Sequence, residues 1–341
     1  MQPIFQHSKL ALASLATGLL FAGASAVSAQ EHKIDISLET GPNHVRNLSV
    51  VKFADELNKK SGGKLKVKVF HGASKYKGTN VPTALAQGAL DMGMPGTWHL
   101  GKFVSEFNAP GLPVLYGAKR DIQYKLWDGP VGKELVSKLE NKLKVKVIGR
   151  WIDLGYGQMF FVKKKVTSHA DLQGMKIRAP GGAANLARYE GFDAKAIKIS
   201  WPDVPQALQR GTVDGVLTTH ESVRSAKLWD SGLKYAYDDY QGFFQYVPVM
   251  SKRAWDKLPK DLQDLIVSTW EAKVDEMRKF AEERQNSARS DGAKNGIQRT
   301  DASDADIAAM RTKLMKGQAD LVTKLKMDPA FIAKINAALG S

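Results

Sequence analysis

Residues 32–40, HKIDISLET, alternate polar and apolar, with Ile34, Ile36 and Leu38 on one side. That period of two predicts a strand. GPNH at 41–44 turns the chain. From Leu48 to Lys60 the apolar positions Leu48, Val51, Phe53, Ala54 and Leu57 recur at helical spacing, and Ser61-Gly62-Gly63 ends the helix. KLKVKVF at 64–70 alternates again, which predicts a second strand. A short helix over 81–88 leads into a short buried strand over 90–94. Strand and helix in alternation predict an α/β fold with a largely parallel sheet.

The pattern then echoes itself. PTALAQGALDMG at 82–93 and PQALQRGTVDGV at 205–216 share Pro, Ala-Leu, Gly and Asp at the same offsets. In each, a helix should end at the glycine, Gly88 or Gly211, where a left-handed cap needs no Cβ. The second segment also follows a strand and a helix, Lys176–Arg178 and then Ala183 onward. The chain therefore reads as two similar α/β lobes, each with its own sheet. KVKVIGRW at 144–151 reads as a strand leaving the first lobe and MFFVK at 159–163 as one entering the second. YQGFFQYVPVMS at 240–251 is a further aromatic crossing. Several crossings that must bend together make a hinge. A long helix is expected over 261–295, bracing both lobes, and a helical region over 303–339 with Ser303 as its N-cap.

Composition changes the picture at the start of the chain. Lys9 precedes an apolar run from Leu10 to Ala24, and Val27-Ser28-Ala29 is a small-residue cleavage signal. Residues 1–29 are expected to be a secretory signal peptide, and the mature protein to be exported. There is no cysteine, so neither disulfides nor thiolate metal sites enter. The 341 residues carry a formal charge of +15. A basic balance invites nucleic acid, an anionic surface or an anionic small ligand. The lysines are scattered at helical and alternating spacings without a compact block, so no nucleic-acid partner is expected.

Candidate chemistry gathers at the ends of predicted strands. In GMKIRAPGGAANLARYEG, residues 174–191, Arg178 ends a strand before a Pro-Gly-Gly turn and a helix start. Helix N-termini favour anions, and arginine holds a carboxylate through two parallel bonds. Trp98 and His99 follow a strand end in the first lobe, and Thr218 and His220 occupy the matching place in the second. In open α/β sheets ligands sit outside the carboxyl ends of the strands, which makes these four candidates by position. Tyr76 and Trp201 are weaker ones. Ser61-Gly62-Gly63-Lys64 reads as a turn, residues 129–133 are not a P-loop, and none of the common hydrolase, zincin or dinucleotide motifs is present. The seven histidines show no metal-ligand spacing. An enzyme, a metal and a cofactor are not expected.

GPNHVRNLSVVKFADEL, ALAQGALDMG, FNAPGLPVLY, LWDGPVGKEL, DLQGMKIRAPGG, SWPDVPQALQRGTVDGV and SKRAWDKLPKDLQDLI, in this order, resemble segments of one family. It is the dicarboxylate-binding-protein-like solute-binding component of tripartite ATP-independent periplasmic (TRAP) transporters. The resemblance implies a two-lobe periplasmic binding protein fold. Its members close on an organic acid, usually a carboxylate, in the inter-lobe cleft. They deliver it to a two-subunit membrane permease driven by a sodium gradient. It implies that Arg178 is the carboxylate clamp. The expected division is lobe I over 30–152 plus about 243–282, and lobe II over about 153–242 plus 283–341. The pattern departs from the family in two places. Leu154 and Gly157 stand where many relatives have asparagine and a second arginine, and Leu217-Thr218 stand where many have Glu-Asn. These departures, with Tyr156, Trp98 and Phe161, fit a monocarboxylate with an apolar or aromatic body. The expected binding set is thus Arg178, Trp98, His99, Tyr156, Thr218 and His220. An enzyme or a signalling receptor of the same two-lobe shape acting on an organic acid is the alternative.

Overall fold

The computed structural model describes residues 31–340, and the expected signal peptide lies outside the described residues. The first sheet takes β1 (His32–Ser37), β2 (Leu65–Phe70), β3 (Met92–Gly93) and β4 (Val145–Val147). The second takes β5 (Ile152–Phe161), β6 (Lys176–Ala179), β7 (Lys195–Lys198), β8 (Gly215–Thr218) and β9 (Tyr235–Tyr246). The chain then returns β10 (Val249–Ser251) to the first sheet and gives β11 (Gln298–Asp301) to the second. The strand orders are β2-β1-β3-β10-β4 and β11-β9-β5-β8-β6-β7.

Both sheets are mixed. The βα units make the parallel pairs, β1 with β2 and β3, and β6 with β7 and β8. The strands next to the crossings run antiparallel, β10 to β3 and β4, and β5 to β8 and β9. A strand that returns from the opposite lobe has no crossover helix to reverse its direction, so it enters antiparallel.

The helices of the first lobe are α1 (Val45–Lys60), α2 (Val81–Ala86), α3 (Thr97–Leu100), α4 (Arg120–Trp127) and α5 (Pro130–Leu143). Those of the second are α6 (Ala183–Gly191), α7 (Val204–Gln209) and α8 (His220–Ser225). The echoed segments end alike. Gly88 and Gly211 have φ of 67° and 65°. Past them Ala89 N donates to Ala84 O and Thr212 N to Ala207 O, at 2.9 and 3.0 Å. The left-handed glycine closes each helix and aims the next strand.

Two segments cross between the lobes, 148–151 and 247–248, and they bond to each other through Ile148 N and Pro248 O at 3.1 Å. Beyond them β5 and β9 run as one antiparallel ribbon from Ile152 opposite Tyr246. After α9 (Lys252–Trp255), the helix α10 (Lys260–Lys294) lies along this ribbon. Its buried positions, Leu262, Ile266, Trp270, Val274, Met277, Ala281, Gln285 and Ala288, step by three and four residues. The stripe continues unbroken because both lobes cover it in turn. Trp270 packs edge-on against Phe53 of α1 at 5.1 Å and donates to Arg150 O at 2.8 Å. Arg278 donates to the Trp151 carbonyl and forks onto Asp128 at 2.7 and 2.8 Å. Further on, Arg284 and Asp291 reach Glu221 and Arg224 of α8.

The expected final helical region is three helices, α11 (Asp304–Met315), α12 (Gln318–Lys324) and α13 (Pro329–Leu339). Ser303 caps the first, with Asp306 answering in a reciprocal box. The end of the chain returns to the first lobe's helices. α13 lies on α4 and α5, where Phe331, Ile332 and Ile335 join Leu85, Leu135 and Leu139 in one core. Its three apolar side chains fill a face of the first lobe that would otherwise meet water.

Trp270→Ala should lower unfolding free energy by about 3–5 kcal/mol, because a fully buried aromatic leaves a cavity that the helix pair cannot close. Urea unfolding followed by far-UV dichroism measures this. A midpoint and slope equal to the parent's would show that α10 does not hold the lobes through Trp270.

Candidate functional site

Arg178 is the third residue of β6, whose last three residues are all buried, and its side chain is only 3% exposed. It donates from Nε to Ile199 O at 2.9 Å and from Nη1 to Leu217 O at 3.2 Å, and it lies over the Trp201 ring at 5.6 Å. Among the described residues no carboxylate lies within ion-pair distance of it. Burial pushes its pKa down to about 10, with Glu39 as the main opposing charge, so it stays a cation at neutral pH. A buried guanidinium without a counter-anion is costly unless an anion arrives.

Two glycines let the opposite lobe reach this point. Gly181 and Gly182 have φ of 122° and 82°. A Cβ at Gly182 would fall 3.1 Å from the Trp98 side chain. The first free N–H of α6, at Ala183, is taken by Asn108 Oδ1 of the first lobe at 2.9 Å. This end of the helix therefore serves lobe contact as well as any anion.

Trp98 and His99 sit on α3, both buried. Trp98 Nε1 donates to His99 Nε2 at 3.0 Å. A neutral imidazole that accepts at Nε2 carries its proton on Nδ1. That Nδ1 is buried and bonds to nothing among the described residues. His99 is held neutral, its pKa pushed down to about 4; burial is the largest cause, Glu39 opposes it, and Arg46, Arg178 and Lys198 reinforce it. The charges acting on His99 thus come from both lobes: three cations against one carboxylate.

Arg46 was not among the sequence candidates. It sits at the start of α1, is 2% exposed, donates to Met94 O and Thr40 Oγ1, and stacks on Tyr246 at 4.1 Å. It too has no carboxylate partner among the described residues. The signal was legible: position 46 falls on the stripe continued by Val50, Phe53 and Leu57, so an arginine stood on the apolar face. Glu39 was missed as well. It follows β1 and accepts from Gly78 N at 3.1 Å, and a Cβ at Gly78 would strike it.

The remaining candidates divide. Thr218 is buried on β8 beside Leu217, whose carbonyl holds Arg178. Trp201 lies under Arg178, whereas Tyr76 turns to Ala89 O. Tyr156 and His220 do not join the Arg178 neighbourhood. His220 Nε2 is engaged by both oxygens of Asp238 at 2.8 and 2.9 Å. Tyr156 donates to Ala118 O and packs on Tyr240 and Phe243. Both line a different cavity, beside α10. The reason for Tyr156 is the period of two along β5, which sends it away from the face carrying Gly157. At Gly157 a Cβ would meet the Phe244 ring at 2.2 Å. That ring packs on Trp98 at 5.1 Å and makes this wall apolar.

The neutral state of His99 fixes a pH dependence. In the unfolded chain the imidazole titrates near about 6.5. Between the two values the folded state binds fewer protons, so His99 makes the protein lose stability as pH falls from about 6.5 towards 4. Asp153, pushed up to about 6 chiefly by its burial, acts in the opposite sense. Comparing the parent with His99→Gln isolates the histidine. The stability difference should move by about 2–3 kcal/mol in the variant's favour between pH 7 and 4.5. Parallel pH profiles in urea unfolding would refute the buried neutral state.

A family model described as bacterial extracellular solute-binding protein, family 7, matches residues 36–323. A solute-binding protein of Albidiferax ferrireducens is 31% identical over 284 residues, 80% of this chain and 78% of its own length. The 2,3-diketo-L-gulonate-binding periplasmic protein YiaO of Escherichia coli is 27% identical over 279 residues, 80% of this chain and 83% of its own. The crystal structure of a sugar acid binding protein from Advenella mimigardefordensis, in complex with galactonate, superposes with a TM-score of 0.85 at 20% identity. It covers 91% of this chain and 98% of that one, which shows the shared two-lobe fold. The family match spans most of the described chain, and this protein belongs to the bacterial extracellular solute-binding proteins of family 7.

Proposed function

We propose that this protein is the periplasmic capture component of a TRAP transporter, that it takes an organic acid between its lobes, and that it hands the acid to a sodium-driven membrane permease. The observation that carries this reading is Arg178, a cation kept dry by two carbonyls with no acid beside it. A ligand carboxylate supplies the missing charge. Arg178 binds it from the second lobe, while His99 Nδ1–H and Arg46 stand ready in the first. Contacts drawn from both lobes favour the closed state, which excludes water and strengthens each charged bond. The Phe244 ring beside Gly157 favours an acid with one carboxylate and an apolar or aromatic body over a second carboxylate at that wall. The relatives described as binding galactonate and 2,3-diketo-L-gulonate support an acid ligand. Among the described residues no helix is long and apolar enough to cross a membrane.

A thermal-shift screen of sugar acids, keto acids, aromatic acids and dicarboxylates should find one class that raises the melting temperature by mass action. The bound acid should be recovered unchanged. Arg178→Ala should weaken that ligand by at least about 2 kcal/mol, as removal of one partner from a buried charged pair does. Arg178→Lys should fall between, since a point charge replaces a fork. Equal affinity in the alanine variant would remove Arg178 from the site, and much tighter binding of succinate than of any monocarboxylate would overturn the one-carboxylate reading.

A further inference from the structure

The cavity that claimed Tyr156 and His220 is a site of its own. It has a volume of about 240 Å³, is partly open to solvent, and lies between the β5–β9 ribbon, α4 and α10. Gln158 lines it and is 1% exposed. Its Oε1 accepts from Tyr240 N at 2.9 Å, which fixes the amide so that Nε2 is the free end. The irregular register between β5 and β9 at this point, with Tyr240 in the left-handed region at φ 51°, holds that contact in place. Nε2 is buried and bonds to nothing among the described residues.

Two guanidinium groups share the cavity. Arg120 enters from α4, paired with Glu282 at the rim, and its Nε is buried without a hydrogen bond. Arg289 enters from α10. Its Nε lies 3.4 Å from Asp238 and is likewise without a hydrogen bond. Asp238 is already held by His220. Gln158 Nε2 and Arg120 Nε are N–H donors without an acceptor among the described residues, and Arg289 Nε has only its ion-pair contact with Asp238. Buried donors without acceptors are rare in folded proteins, and a cavity lined by several of them calls for an acceptor.

We propose that this cavity is a second ligand site, separate from the Arg178 cleft, which takes a small oxyanion on Arg120, Gln158 and Arg289. The donors come from both lobes and from the helix that braces them. An inorganic oxyanion and a small carboxylate present the same acceptor oxygens, and the volume admits either.

Calorimetric titration of the full chain carrying Arg178→Ala, which silences the cleft, tests this. Sodium sulfate and sodium acetate are titrated against sodium chloride at matched ionic strength. One saturable site is expected, weakened at least tenfold by Gln158→Leu and by Arg289→Gln. Sulfate alone would identify an inorganic anion, acetate alone a carboxylate, and both a general oxyanion site. If Arg289→Gln does not fold, Gln158→Leu and Arg120→Gln decide. Absence of saturable binding of either anion, or equal binding in the folded variants, overturns the proposal and leaves a cavity filled by water.

Discussion

A cation held out of water without an anion is the constraint on which the rest of this molecule turns. Arg178 has two carbonyls and an aromatic face, yet no acid at ion-pair distance among the described residues. Two carbonyl acceptors leave most of the cost of desolvating a guanidinium uncompensated. The fold has to supply that free energy from its apolar cores. Ile177 and Ala179, on either side of Arg178 along β6, are fully buried in one of them, and Val216 of the paired strand β8 in another. The result is a buried donor held in one orientation, and a donor that is already ordered loses little conformational freedom on gaining an acceptor.

Holding such a site between two lobes requires that they meet in one register. The crossing ribbon and α10 impose it together. Two strands bonded at 148 and 248 limit how the lobes can turn, and Arg278 ties the helix to the crossing at Trp151. Lateral contacts complete the closure, from His44 to Ser222 on one side and from Lys77 to Asp203 on another. His44 is held neutral by burial, and because its Nδ1 accepts from Arg46 N, its Nε2 must be the donor to Ser222.

One glycine sets the packing of the cleft wall. At Gly157 the absence of a side chain admits Phe244, which then supports Trp98. That wall presents aromatic surface. The same strand alternation sends Tyr156 and Gln158 to the other side, so β5 separates two different chemical environments with successive residues.

Much of this was legible in the chain alone. Alternation and helical spacing fixed β1, β2, α1 and α10 to within a few residues, because each presents one face to a core, and burial follows period directly. Gly88 and Gly211 announced matching helix ends because only glycine is at ease with the required φ. Arg178 was legible from its place before the Pro-Gly-Gly turn. Other features depended on what lies across space. Sequence position put His220 and Tyr156 with the cleft, but Asp238 and the pleat of β5 took them elsewhere. Arg46 lacked only the knowledge that its stripe ended at the cleft. The packing of α13 on the first lobe followed from a vacant apolar face on α4 and α5, far away in sequence. Local pattern determines which face of an element is buried; only the tertiary structure decides against what, because that depends on partners brought together from elsewhere in the chain.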